Sequence, residues 1–123
     1  MQSLSLSEAS IRAVRRYYEQ NTLPFRAAGL GNRSYAVHRT LWDASMTTFD
    51  AALQRVNALV IEEVQTFLEA SPPVRLHLID LGCGIGETLA YCTRALPEAR
   101  MAGVTLSITQ ARIARRILPR ARQ

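Results

Sequence analysis

The clearest chemical signal in the sequence is Leu76–Gly86, in which an apolar run leads to Asp80 and then to Gly82, Gly84 and Gly86. The run is about six residues long and lies between prolines and glycines, which favours a strand over a helix. Glycines let a backbone turn tightly and approach a ligand, and a helix N-terminus offers free N–H groups. The stretch therefore predicts a strand, a ligand-binding turn and a helix. Its continuous apolarity predicts that both faces of the strand are covered.

The spacing of the glycines bears on the kind of ligand. A dinucleotide-binding turn has a third glycine three residues after its second, and Glu87 occupies that position here. A carboxylate in the first helical turn would repel a diphosphate. Together with Asp80, Glu87 gives the turn an acidic rim, which suits a cationic ligand.

Two segments carry a family resemblance. Asp80–Gly86, DLGCGIG, resembles the first motif of class I S-adenosylmethionine-dependent methyltransferases. Gly103–Gln110, GVTLSITQ, resembles the second-strand segment of the branch that includes cyclopropane synthases and small-molecule methyltransferases. The resemblance extends from roughly Tyr17 to the end of the chain and is weakest before Phe49. It implies an α/β fold, the N-terminal part of a Rossmann-like class I methyltransferase fold, with N-terminal helices followed by β-α-β-α.

The resemblance also implies S-adenosyl-L-methionine as the cofactor. It places Asp80 near the ammonium group of the cofactor. It places the turn against the methionine half, through Gly82, Cys83, Gly84 and Gly86. The alternative role for Asp80 is that of a strand-end residue that accepts hydrogen bonds from the loop, and both roles can hold together.

The end of the second strand departs from the usual pattern, in which an acidic residue holds the ribose hydroxyls. This chain has Thr105 there. In the branch that it resembles, the ribose contact is implied to pass to Thr105, Leu106 and Gln110. The alternative for Gln110 is a solvent-facing helix residue.

Two further candidates lie in the N-terminal half. A tyrosine in a short N-terminal segment of the resembled family reaches over the cofactor, which makes Tyr18 a candidate, although we favour Tyr17 and Tyr18 as aromatics that pack a helix onto the domain. His38 is a weak candidate for a general base or a substrate contact, and a structural histidine is the favoured interpretation. The catalytic residues are otherwise unknown, and no metal site is expected.

The other elements follow from caps and apolar periodicity. Ser7 is predicted to begin a helix ending near Gln20, followed by a loop over 21–32. A helix capped by Thr47 or Thr48 should reach about Ala70 and pack on the sheet. A helix over 87–96, a strand over 100–106 and a last helix capped by Ser107 complete the prediction. Residues 1–70 would form a helical lid segment, and residues 71–123 the first half of a cofactor-binding domain.

Composition narrows the remaining classes. The 123 residues suit one small domain, and all basic residues are arginines, which give a formal net charge of +5. Five arginines fall within residues 112–122, so a nucleic-acid-binding module is an alternative, although a solvated helix face is favoured. No segment resembles a signal peptide or a membrane span, so the cytoplasm is the expected compartment, and both cysteines are expected to be reduced.

The predicted function is methyl transfer from S-adenosyl-L-methionine to a small molecule such as a natural product or a lipid. A nicotinamide-binding domain is an alternative that Glu87 disfavours. The resembled fold has seven strands, whereas this sequence contains two convincing ones. We therefore expect a chain truncated after its second helix, either non-catalytic or one half of a split enzyme. Such a chain would bind the cofactor weakly unless a homo-oligomer or a complementing chain supplied the rest of the sheet.

Overall fold

A computed structural model describes residues 7–28, 40–71 and 75–118. The elements are α1 (Glu8–Ala28), α2 (Phe49–Ala70), β1 (His77–Leu81), α3 (Glu87–Ala95), β2 (Arg100–Val104) and α4 (Ile108–Ile117). The two strands pair in parallel, from His77 opposite Arg100 to Leu81 opposite Val104. This order confirms the prediction of N-terminal helices followed by β-α-β-α.

Hydroxyl side chains begin three of the four helices, as the sequence predicts. The Ser10 N–H donates to Ser7 Oγ at 3.2 Å at the start of α1. Thr48 Oγ1 accepts from the Ala51 N–H at 3.1 Å at the start of α2. Ser107 does the same for α4. Each such oxygen satisfies a donor that has no partner inside the helix.

The end of α1 was predicted wrongly. The helix continues to Ala28 and includes Pro24, so residues 21–28 are helical and not part of a loop. A proline in a helix interior removes its own N–H donor and crowds the carbonyl four residues earlier, here that of Gln20. The Asn21 and Thr22 side chains donate to the main-chain carbonyls of Tyr17 and Tyr18, at 2.8 and 2.6 Å. The helix nevertheless continues on both sides of Pro24, so the local signal for a helix end is overridden.

Helix α3 lies at the centre of the packing, in contact with α2, α4 and β2. The prediction that α2 packs on the sheet is therefore wrong, because α2 packs on α3. Its most deeply buried side chains include Asn57, whose Oδ1 accepts from Thr88 Oγ1 at 2.9 Å. Apolar periodicity did not identify this polar contact. Two aromatic side chains of α2, Phe49 and Phe67, are exposed.

The two faces of the sheet differ sharply. Leu78, Asp80 and Met101 are half-buried. The opposite side, here called the bare sheet face, is formed by residues that are all exposed: His77, Ile79, Leu81, Arg100, Ala102 and Val104. The exposed fraction reaches 81% at Leu81. The prediction that both faces of β1 are covered is thus wrong for the described residues. An apolar run does not determine whether a helix or another sheet packs on each face of the strand.

Candidate cofactor-binding site

The turn between β1 and α3 has the backbone conformation that its glycines predict. Gly82, Gly84 and Gly86 all have positive φ, at 92°, 54° and 88°. The values at Gly82 and Gly86 lie beyond the range that residues with a Cβ adopt readily. Gly86 also begins α3, which therefore has no side-chain cap.

The turn is fastened to the end of β2. The N–H groups of Gly82 and Cys83 both donate to the carbonyl of Val104, at 2.8 and 3.0 Å. The Gly86 N–H donates to the Cys83 carbonyl at 2.8 Å, which closes the turn. These bonds bring the predicted glycine motif next to Thr105, the first residue after β2.

Beyond these bonds, the turn has free donors. Within the described part of the chain, no hydrogen bond uses the N–H of Gly84, Ile85, Glu87 or Thr88. A run of unpaired N–H groups at a helix N-terminus carries partial positive charge and is suited to an acceptor group such as a carboxylate.

Asp80 lies beside these donors at the end of β1. Its side chain is half-buried, and no hydrogen bond or ion pair to it is found among residues 7–28, 40–71 and 75–118. Burial raises the pKa of this carboxyl group above its ordinary value. Burial, and secondarily the charge of Asp80, raise the pKa of the Cys83 and Cys92 thiols, both of which are free. A partly desolvated carboxylate without a counter-ion favours binding of a cation.

Two glycines allow the close packing that holds this turn in place. A Cβ on Gly86 would lie 3.0 Å from the Cβ of Ala114 on α4. A Cβ on Gly103 would clash with Leu89 and would lie 2.7 Å from the sulfur of Cys83. Gly103 is the first residue of the segment Gly103–Gln110 that carries the resemblance, but the sequence did not reveal that the turn and α3 pack against it.

Thr105 and Gln110, two of the residues that the resemblance implies for the ribose contact, lie together. Thr105 Oγ1 donates to Gln110 Oε1 at 2.7 Å, so Gln110 does not simply face solvent. The Gln110 amide nitrogen has no protein partner in the described ranges. Leu106 is 51% exposed. Thr105 and Cys83 also line a cavity of about 280 Å³ between β2, α3 and α4.

Glu19 of α1 also contacts this region, and the sequence analysis did not identify it. Its carboxylate accepts hydrogen bonds from the N–H groups of Ile108 and Thr109 and from the Thr109 hydroxyl. The Thr109 hydroxyl contributes most to holding the pKa of Glu19 below its ordinary value, with smaller contributions from backbone N–H groups. The run RYYEQ offered no signal beyond a carboxylate beside two tyrosines.

The other N-terminal candidates are less closely tied to the site. Tyr17 and Tyr18 are 50% and 41% exposed and meet edge to face at 5.4 Å, so the favoured prediction that they pack α1 onto the domain is wrong. His38 lies outside the described residues. Within those residues, no group of three or more His, Cys, Asp or Glu side chains could hold a metal ion, and no helix is long and apolar enough to cross a membrane.

Comparison with protein-family models gave no match, and neither did comparison with curated proteins. Among solved structures, similar chains include the geranyl diphosphate C-methyltransferase of Streptomyces coelicolor A3(2). It was crystallised with Mg²⁺, geranyl diphosphate and S-adenosyl-L-homocysteine, and matches with 24% identity and a TM-score of 0.48. The match covers 87% of this chain and 41% of that one.

Two further structures match over 87% of this chain. One is the same Streptomyces enzyme with Mg²⁺, geranyl-S-thiolodiphosphate and S-adenosyl-L-homocysteine, with 25% identity, a TM-score of 0.47 and 42% of its length covered. The other is a geranyl diphosphate methyltransferase with geranyl diphosphate and sinefungin, with 22% identity, a TM-score of 0.42 and 43% of its length covered.

The chain thus spans about two fifths of the length of the solved methyltransferases that it matches. Its own described elements give the fold assignment. The order of helices and strands, the parallel β1–β2 pair and the glycine turn at the end of β1 are those of part of a Rossmann-like α/β fold.

Proposed function

We propose that the chain binds S-adenosyl-L-methionine at the turn between β1 and α3 and serves methyl transfer to a small molecule. The observation that carries this proposal is that a carboxylate and a set of N–H donors lie in adjoining parts of one turn. Among the described residues, the partly buried Asp80 carboxylate has no counter-ion, and four N–H groups of the adjoining turn have no acceptor. An amino acid moiety has an ammonium group that can bind the Asp80 carboxylate and a carboxylate that can accept hydrogen bonds from the N–H groups.

The proposed roles follow from this arrangement. Asp80 binds the ammonium group, and the N–H groups between Gly84 and Thr88 bind the carboxylate. Gln110, oriented by Thr105, offers its free amide donors to a ribose hydroxyl. When bound, the cofactor supplies a methyl group on a sulfonium, which is already activated for displacement by a nucleophile. The protein then needs only to bind, align and exclude water.

A calorimetric titration with S-adenosyl-L-homocysteine tests the proposal, with NAD as the competing ligand. We expect saturable binding of the first and none of the second, because Glu87 stands where a pyrophosphate would lie. Gly84→Val should abolish binding, since a β-branched residue strains a φ of 54°. Gly84→Asn is the matched control, because asparagine tolerates that conformation and the space around Gly84 is open. Unchanged binding by Gly84→Val would move the site elsewhere.

The identity of the acceptor is a finer part of the same proposal. We propose a small molecule and treat residues 1–70 as a lid segment that contributes to its site, with His38 as a weak candidate base. Geranyl diphosphate with Mg²⁺, the ligands of the compared enzyme from Streptomyces, belongs in the first panel of acceptors tested. The cytoplasm stays the expected compartment.

A dependence of turnover on a second chain is also proposed. It is supported by the bare sheet face, on which Ile79, Leu81 and Val104 are more than half exposed. Apolar surface of this kind favours association with a second copy or with a complementing chain. Size-exclusion chromatography with a methylation assay tests it. A monomer that methylates an acceptor by itself would overturn it.

A further inference from the structure

Glu19 links two parts of the chain that are far apart in sequence. It lies within α1, and its partners Ile108 and Thr109 lie 89 and 90 residues later, in the first turn of α4. One carboxylate oxygen accepts from both backbone N–H groups, and the other accepts from the Thr109 hydroxyl. A carboxylate at a helix N-terminus is stabilised both by these donors and by the helix dipole.

With Glu19 in place, the start of α4 has no unpaired donor in its first turn. The Gln110 N–H donates to Ser107 Oγ at 3.1 Å, and the Ala111 N–H donates to the Ser107 carbonyl at 3.0 Å. Glu19 takes the two N–H groups that remain. Of the three first-turn N–H groups without an intrahelical acceptor, two are therefore paired by another helix and one by Ser107.

The attachment of α1 depends strongly on this contact. The apolar side chains Ile11, Val14 and Leu23 are 41%, 44% and 59% exposed, so they bury little surface against the rest of the protein. Thr22, which lies three residues after Glu19 and therefore on the same side of the helix, is buried at 5% exposure. The docked side of α1 is thus centred on Glu19 and Thr22.

Resting on the proposed cofactor site, we propose that Glu19 is a positioning residue that docks α1 on α4 and thereby sets the ribose side of the site. By fixing the first turn of α4, Glu19 fixes the backbone of Gln110, whose side chain meets Thr105. The same contact determines where Tyr18, the preceding residue, lies.

The test compares Glu19→Ala with Glu19→Gln and with Glu8→Ala. Glutamine keeps an acceptor oxygen, and Glu8 is an exposed carboxylate of the same helix whose ion pair is with Arg12 at 3.8 Å. Amide hydrogen exchange reports on Ile108 and Thr109, and calorimetry measures the affinity for S-adenosyl-L-homocysteine. In Glu19→Ala we expect exchange at both amides to be about tenfold faster and affinity to be about tenfold weaker. Glu19→Gln should restore most of both, and Glu8→Ala should change neither.

Each contrary result has a distinct meaning. Unchanged exchange at Ile108 and Thr109 in Glu19→Ala would overturn the docking. Faster exchange with unchanged affinity would overturn the positioning role, as would equal acceleration at the Gly82 and Cys83 amides, whose bonds to the Val104 carbonyl would be lost only in a general unfolding. A parent protein that binds no S-adenosyl-L-homocysteine would overturn the proposed function, whereas the exchange rates would still decide the docking.

Discussion

The two strand–helix junctions in the described part of this protein begin the helices that follow them in opposite ways. The first junction, residues 82–87, begins α3 with Gly86 and leaves unpaired N–H groups. The second junction, residues 105–108, begins α4 with Ser107, and protein groups pair all the N–H groups of its first turn. Two β-α units of the same kind thus yield two different helix N-termini. That of α3, here called open, has N–H groups without an acceptor among the described residues, and that of α4, here called closed, has its N–H groups paired.

The difference indicates that the two junctions have different roles. A ligand can use the donors at the start of α3, because no group in the described part of the chain accepts from them. The donors of α4 are already paired, so this helix contributes side chains, Gln110 above all, and its N-terminus serves to attach α1. An open terminus suits binding, and a closed terminus suits positioning.

The largest expected effect comes from Gly86→Ala at the first junction. Its φ of 88° strains any residue with a Cβ, and a Cβ there would press on Ala114 at 3.0 Å, so α4 would have to shift by a few tenths of an ångström. We expect the free energy of unfolding to fall by about 3 kcal/mol, from backbone strain together with overpacking. Urea denaturation measures it. Gly84→Ala is the matched control, because its φ of 54° and open surroundings predict a loss of only about 1 kcal/mol. Equal losses would mean that Ala114 plays no part.

A smaller effect is expected from the support behind the first junction. Asn57→Ala removes the acceptor of the Thr88 hydroxyl and leaves a small gap beneath α3. We expect a loss of about 2 kcal/mol in unfolding free energy, because a half-buried donor loses its partner and the buried Asn57 side chain leaves a gap. Thermal unfolding measures it. The control is Thr66→Ala, which removes an exposed hydroxyl bond to the Glu62 carbonyl on the same helix. A loss in the control as large as in Asn57→Ala would contradict this explanation.

At the second junction, Ser107→Ala removes the cap from Gln110 but leaves the two bonds of Glu19. We expect a loss of about 1 kcal/mol, the usual value for a hydroxyl N-cap. Exchange at the Gln110 amide should accelerate more than exchange at Ile108. Acceleration of the same size at both amides would show that Ser107 and Glu19 act as one cap.

The smallest effect concerns the pH dependence of stability. Burial raises the pKa of Asp80 in the folded state, so this group binds its proton more tightly there than in the unfolded chain. Its contribution therefore favours the folded state below the unfolded pKa and declines as pH rises through the folded pKa. Asp80→Asn should remove that decline, which denaturation at a series of pH values would detect. Glu19 has the opposite sign, because its pKa is lowered. Its contribution is present at neutral pH and is lost as pH falls.

Local patterns predicted much of the architecture. The apolar run before Asp80 identified β1, the glycines identified the turn, and Thr48 and Ser107 identified the starts of α2 and α4. Each of these features depends on a residue and its immediate neighbours, because caps and positive φ angles are properties of a few consecutive residues. The glycine turn was for that reason accessible from the sequence, whereas the Thr105–Gln110 hydrogen bond was seen only in the structure.

Contacts between distant segments were decided only by the tertiary structure. The sequence determined that Ser7 precedes and caps α1, but Tyr17 and Tyr18, which were predicted to pack this helix onto the domain, are in fact exposed. The actual attachment is made by Glu19, a charged residue whose partners lie 89 and 90 residues away. The bare sheet face was missed because an apolar strand has the same sequence whether or not another layer covers it. Hydrophobicity makes burial of a side chain favourable, but only the tertiary structure determines whether another element packs against it.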